Sequence, residues 1–176
     1  MNREIFKNTI FGLFIILSQI LIFNHINLFG ISSPSIYVIL FILYKTNYDK
    51  TLLIILGFII GIIIDFSMQT YGCHAFASLT VCFLREWIEK YSFGVNSNLP
   101  NAMVKGTSLT NRLTYFIIIT VLHSLLYFIL LYFNSELLLR IILSTLYNSI
   151  ITFIIVWIIS EDRKSTRLNS SHLVIS

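Results

Sequence analysis

The chain has 176 residues, of which 56% are apolar, 15% aromatic and only 11% charged. Mean hydropathy is +0.84, and soluble domains carry about 25% charged residues. This balance excludes a solvated single domain, a disordered chain and a disulfide scaffold, and it predicts an all-α polytopic membrane protein.

Six spans of about 20 residues would take about 120 residues, leaving short loops and no room for a catalytic domain outside the membrane. Cys73 and Cys82 lie in one apolar stretch. On one helix at that spacing they cannot bridge each other, and they carry no information on compartment. The formal net charge is +4, but composition shifts abruptly at Arg163. Residues 163–176 hold three of the twelve basic residues (Arg163, Lys164 and Arg167) and none of the eight acidic ones. This string resembles a translated sequencing-adapter fragment. The expected organisation is therefore one transmembrane domain over 1–162 and a non-native, disordered tail over 163–176. Without the tail the charge is nearly balanced, so basicity argues neither for nucleic acid nor for anionic lipid.

The first span is expected from about Ile5 to Phe23. Arg3 and Lys7 precede it as in a signal peptide, but the run is long and no small-residue cleavage site follows, so a retained helix is expected. A polar and aromatic turn, Asn24 to Gly30, leads to a short second run, Ile31 to Tyr44. Pro34 sits near its start, with Ser33 as its N-cap. Thr51–Met68 is the third span, Gly72 to about Lys90 the fourth, Arg112–Phe133 the fifth and Glu136–Ser160 the sixth. Residues 91–111 form the longest loop.

Basic residues set the orientation. With six spans, one side holds Arg3, Lys7, Lys45, Lys50, Arg85, Lys90, Lys105 and Arg112, and the other only Arg140. Both termini are then cytoplasmic. If the short second run did not cross, five of those eight would move outside.

Polar residues in the membrane are costly and informative. Gly57, Gly61 and Asp65 recur at i, i+4 and i+8, one helix stripe with a small-xxx-small packing face. Asp65 reads as a fixed contact in a packing or ligand-binding core, or as a carboxylate reaching interfacial water. His74 opens the next helix near the same depth, where it either bonds Asp65 or is solvated. Ala75, Ser78, Cys82 and Arg85 form a second small-residue stripe ending in a cation. Arg85 either snorkels to the cytoplasmic face or contacts a neighbouring helix or partner, with Glu89 in reach at i+4. His123 and Asn148 fall near mid-bilayer and are expected to bond each other. Glu136 and Arg140 are expected to pair. There is no nucleotide loop, HExxH, GxSxG or Cys/His ligand cluster. An enzyme, a metal, a cofactor, nucleic acid and a small-molecule substrate are therefore not expected.

The segment Gly57-Phe-Ile-Ile-Gly61-Ile-Ile-Ile-Asp65, with Ser67, Gly72-Cys-His74-Ala75 and Arg85, resembles MreD, the rod-shape-determining membrane protein family of bacteria. Gln19 to Gly30 and Pro34-Ser-Ile-Tyr37 resemble the version found in Bacteroidota. The likeness covers about residues 5–160, strongest over 19–90, and beyond 92 it is one of length and hydrophobicity only. It implies five or six inner-membrane helices without chemistry of their own. It also implies a partnership with MreC, and through it with MreB, RodA and a penicillin-binding transpeptidase in cell-wall elongation. Gly57, Gly61, Asp65, Gly72, His74, Ala75 and Arg85 are the expected helix-packing or partner contacts. The family's fold is similar to the substrate-binding membrane subunits of energy-coupling-factor vitamin transporters. A transporter subunit of that kind is therefore the alternative, and a small proton-coupled carrier using Asp65 a third.

Overall fold

The computed structural model describes residues 2–26, 33–44, 48–94 and 107–172. Among these the chain is helical and has no strand. Helix α1 spans Asn2–Leu21, α3 Lys50–Met68, α4 Cys73–Phe93, α5 Leu109–Tyr132 and α6 Leu138–His172. Between α1 and α3, Ile36–Val38 forms a 3₁₀ turn that runs into α2, a single α-turn over Ile39–Ile42. The 91–111 loop shrinks to 94–108, and most of it lies outside the described residues.

Among the described residues, four helical stretches are long and apolar enough to cross a membrane: Phe6–His25, Lys50–Met68, Leu109–Tyr132 and Leu138–Arg163. They mark a membrane protein. The 19 residues of α3 reach about 28 Å at 1.5 Å per residue, close to the ~30 Å hydrocarbon core. Two of the six expected spans differ. Helix α4 is long enough but carries Arg85, Glu86, Glu89 and Lys90 in its C-terminal half. Among the described residues of the second run, 33–44, helix is confined to 36–42, short of spanning length.

That short segment is instead the centre of the core. Ile36, Tyr37, Val38, Ile39, Phe41 and Ile42 are all buried. Its irregular backbone is held by side chains. Gln19 donates to the Pro34 carbonyl at 2.9 Å and accepts the Tyr37 N–H at 3.3 Å, and the Ser35 N–H donates to Thr152 of α6 at 3.1 Å. The N-cap position of the turn is held by Ser35 rather than Ser33; the Ser33 hydroxyl lies 3.8 Å from the Met68 sulfur at the C-terminal end of α3. At the other end of the segment, the Tyr44 hydroxyl donates to the carbonyl of Asp49, the N-cap of α3.

Helices α3 to α6 pack in chain order, each against the next, while α1 lies against the 36–38 turn and α3. Caps set the helix starts: Asp49 accepts the Thr51 N–H at 2.8 Å and Ser108 the Asn111 N–H at 3.2 Å. Ion pairs gather at one end of the bundle. Lys50 pairs with Glu86, Arg112 with Glu161, and Arg163 donates to Asn8 while its guanidinium lies 3.9 Å from the Phe11 ring centroid. Trp87 and Tyr91 are exposed around this charged end, and Phe66, Tyr71 and Phe133 at the other. Aromatic girdles of this kind suit the two membrane interfaces. Helix α6 passes through residue 163 without a break and reaches His172, so this stretch is helical where disorder was expected; residues 173–176 of the expected tail lie outside the described residues.

Candidate functional site

The polar residues singled out in the sequence meet in three buried groups. The first is the α3–α4 hairpin. At Gly61 an added Cβ would stand 2.4 Å from the Ala75 Cα and 2.8 Å from the His74 carbonyl oxygen, so only glycine permits this approach. At Gly57 the nearest atom to an added Cβ belongs instead to a side chain, the Cys82 sulfur at 2.6 Å. The approach brings Asp65 to the start of α4. One carboxylate oxygen accepts the His74 N–H at 3.0 Å and the Thr70 hydroxyl, and the other the Ala75 N–H at 2.8 Å. Asp65 thus caps α4 from the neighbouring helix, satisfying two amides that α4 cannot satisfy itself and placing negative charge at the positive end of its dipole. Gly72, at φ +95°, supplies the left-handed turn before α4. The His74 partner of Asp65 is the backbone amide, not the ring.

The ring of His74 belongs to the second group, centred on Tyr37. The Tyr37 hydroxyl lies 3.0 Å from His74 Nδ1, 2.7 Å from His123 Nε2 and 3.2 Å from Ser78 Oγ. His74 also stacks on Tyr127, with ring centroids 4.2 Å apart. His123 therefore does not bond Asn148, as the sequence suggested; Asn148 donates to Ser124 at 3.2 Å. Tyr37 is 0% exposed and the two histidines 2% or less.

The third group is Arg85. It is 5% exposed and does not snorkel. Its guanidinium pairs with Glu89 at 2.5 Å, donates to the Tyr115 hydroxyl at 2.7 Å and to the Tyr44 carbonyl. A buried ion pair so surrounded is strongly destabilised by removing one partner, by about 3–5 kcal/mol. The expected Glu136–Arg140 pair is replaced by Arg140 standing over the Tyr132 ring, 5.0 Å from its centroid.

All the expected contact residues except the turn residue Gly72 are therefore buried inside the chain, where they pack its own helices. Sequence reasoning missed Tyr37 as a hub, Gln19 as a backbone clamp and the Arg112–Glu161 pair, whose guanidinium also covers Trp157 at 4.9 Å. Several buried polar atoms have no protein partner, among them His74 Nε2, His123 Nδ1, Asn148 Oδ1 and the hydroxyls of Ser144 and Ser149. Each unsatisfied group costs about 1–3 kcal/mol when dry. Among the described residues, no three His, Cys, Asp or Glu side chains stand close enough to hold a metal ion. A groove of about 550 Å³ beside the Gln69–Cys73 turn opens at the surface and is closed by Phe76, Leu130 and Leu131. It does not reach Tyr37. No family model, curated protein or solved structure matches the chain.

Proposed function

We propose that this protein is a non-enzymatic, MreD-like scaffold of the bacterial inner membrane. It binds MreC within the bilayer or at its edge and, through it, keeps MreB, RodA and the transpeptidase where wall is made, which maintains rod shape. The observation that carries this reading is that the residues of the resemblance form one hydrogen-bonded unit. Gln19 donates to Asn24, Asn24 to Ser67, and Gln19 clamps Pro34 and Tyr37; Tyr37 meets His74, and Asp65 caps α4. The pattern is spent on building a fold rather than on lining a reaction site. The exposed helix faces are apolar, so partners are met through lipid-facing surfaces by close packing.

The topology belongs to the same reading: six crossings with both termini cytoplasmic. Two observations support it. Residues 33–44 touch the C-terminal end of α3 at one end and its N-cap at the other, as a crossing does. Lys50, Lys90, Arg112 and Arg163 gather at one end and Arg140 at the opposite one.

Co-purification with MreC in mild detergent, followed by native mass spectrometry, tests the proposal. A stoichiometric complex is expected, weakened by Gly61→Leu, which forces α3 and α4 apart, or by Ala75→Leu, which overpacks a buried position; cells depleted of the protein should round up. If the purified protein ignores MreC yet retains a vitamin with nanomolar affinity, the transporter-subunit reading replaces this one.

A further inference from the structure

The Tyr37 hub has a proton count that constrains it. A phenol carries one proton, so it donates one hydrogen bond and accepts the others. The hydroxyl contacts a ring nitrogen of each histidine, at 3.0 Å for His74 Nδ1 and 2.7 Å for His123 Nε2. A charged ring here would be costly in the bilayer, and the Asp65 carboxylate is already engaged by Thr70, His74 N–H and Ala75 N–H. The third contact, Ser78 Oγ at 3.2 Å, is the longest; with Ser78 donating its own hydroxyl proton to the phenol oxygen and both rings neutral, one ring donates to Tyr37 and the other accepts from it. Because the contacts use Nδ1 of one ring and Nε2 of the other, either assignment puts the two rings in the same tautomer. If His74 Nδ1–H donates, Tyr37 O–H donates to His123 Nε2, and both protons sit on Nδ1. In the reverse case both sit on Nε2. The distances favour the first, since 2.7 Å is typical of an O–H donor and 3.0 Å of an N–H donor.

Either way the outward nitrogens, His74 Nε2 and His123 Nδ1, are one acceptor and one donor, both buried and without a protein partner. On α6 the Asn148 carbonyl oxygen and the Ser149 hydroxyl are likewise unpartnered, and Asn148 bonds Ser124, the residue after His123. Buried polar atoms of this kind are normally completed by internal water, which bonds two to four such groups.

We propose that Tyr37, His74 and His123 form an intramembrane hydration site and proton relay, in which buried water completes each outward nitrogen and the two imidazoles change tautomer only together. The relay step balances. His74 Nε2 takes a proton from its water as His74 Nδ1 gives one to Tyr37 oxygen. Tyr37 passes its own proton to His123 Nε2, and His123 Nδ1 releases one to the second water. The first water is left a hydroxide and the second a hydronium until a proton passes from the second to the first, so the loop closes with every group neutral. This site is independent of any partner of the chain.

Histidine-selective ¹⁵N NMR of the full chain in lipid nanodiscs tests it, with His25→Gln and His172→Gln removing the other two histidines. Expected are two neutral rings, both with the proton on Nδ1, and magnetisation transfer from water to both outward nitrogens. Under any condition that populates the other tautomer, the two rings should shift in equal proportion. One ring in each tautomer, a cationic ring at neutral pH, or no water transfer would overturn the proposal, as would an organic solute released on denaturation at one per chain. Tyr37→Phe keeps the shape and removes the shared proton, so the tautomer populations of the two rings should diverge. If that variant folds and its populations stay equal, Tyr37 is not the coupling. If it does not fold, the wild-type spectra decide alone.

Discussion

Adding one methyl group at Gly61 should separate two helices, whereas adding one at Gly57 should not. The Gly61 methyl would meet backbone: the Ala75 Cα at 2.4 Å, the Ala75 nitrogen at 2.7 Å and the His74 carbonyl oxygen at 2.8 Å. Backbone cannot rotate away, so α3 and α4 must part by about 1 Å to restore ordinary contact. The Asp65 bonds to His74 N–H and Ala75 N–H, 3.0 and 2.8 Å long, would then be stretched out of range. Overpacking costs about 1–3 kcal/mol, and loss of two bonds to a charged group about 1.5–3 kcal/mol each. Alanine's helix propensity returns up to about 1 kcal/mol over glycine, leaving a loss of roughly 3 kcal/mol or more. The Gly57 methyl meets the Cys82 side chain, which can turn aside, so propensity and strain should nearly cancel. Reversible unfolding in mixed micelles, followed by the tryptophans, measures both. Double variants sharpen the contrast. Cys82→Ala should rescue any loss in Gly57→Ala, but Ala75→Gly should not rescue Gly61→Ala, because trimming that side chain leaves the Cα and nitrogen in place. Equal losses at the two glycines, or rescue by Ala75→Gly, would refute the close-approach argument.

Asp65→Asn keeps one accepting oxygen and should cost about 1–2 kcal/mol, while Asp65→Leu orphans both α4 amides and should cost clearly more; equal losses in the same unfolding assay would remove the capping role. Arg85→Met strands Glu89 in the core and should cost about 3–5 kcal/mol, and Arg85→Met with Glu89→Gln should recover part of it; a double variant as unstable as the single would show that the pair is not the source. In a background lacking Cys73 and Cys82, an impermeant thiol reagent added outside cells should label Asn134→Cys and miss Ser97→Cys, and the reverse pattern would invert the proposed orientation.

How much could be read from the sequence depended on how far apart partners lie along the chain. The Gly57–Gly61–Asp65 stripe and the Arg85–Glu89 pair are local, set by helical spacing, and both are where the spacing put them. Asp65 and His74 were placed side by side because only a tight turn separates them. Which atom of His74 bonds was not legible, since that follows from how closely α4 approaches Gly61. That the second run is largely non-helical was not legible, because a short apolar stretch looks the same whether it forms a full helix or an irregular segment buried inside a bundle. Tyr37 looked like any aromatic core residue; its partners are 37, 41 and 86 positions away. His123 and Asn148 share a depth, but facing directions on α5 and α6 depend on a helix rotation that apolarity all round does not define.

The irregular backbone of residues 34–37 bears on how the protein is made. Non-helical peptide groups are tolerated at membrane depth only when protein covers them. Here the cover comes from both ends of the chain: Gln19, already synthesised, holds the Pro34 carbonyl and the Tyr37 N–H, but the Ser35 N–H is held by Thr152, near the end of α6. During synthesis the segment therefore leaves the translocon with one amide unmet until more than a hundred further residues have followed. Membrane insertion of the first half is provisional, and the last helix acts as the latch that completes it. Chains that stop before α6 should be recognised as unassembled and degraded by membrane proteases, even though every residue from Gln19 to Arg85 has already been translated.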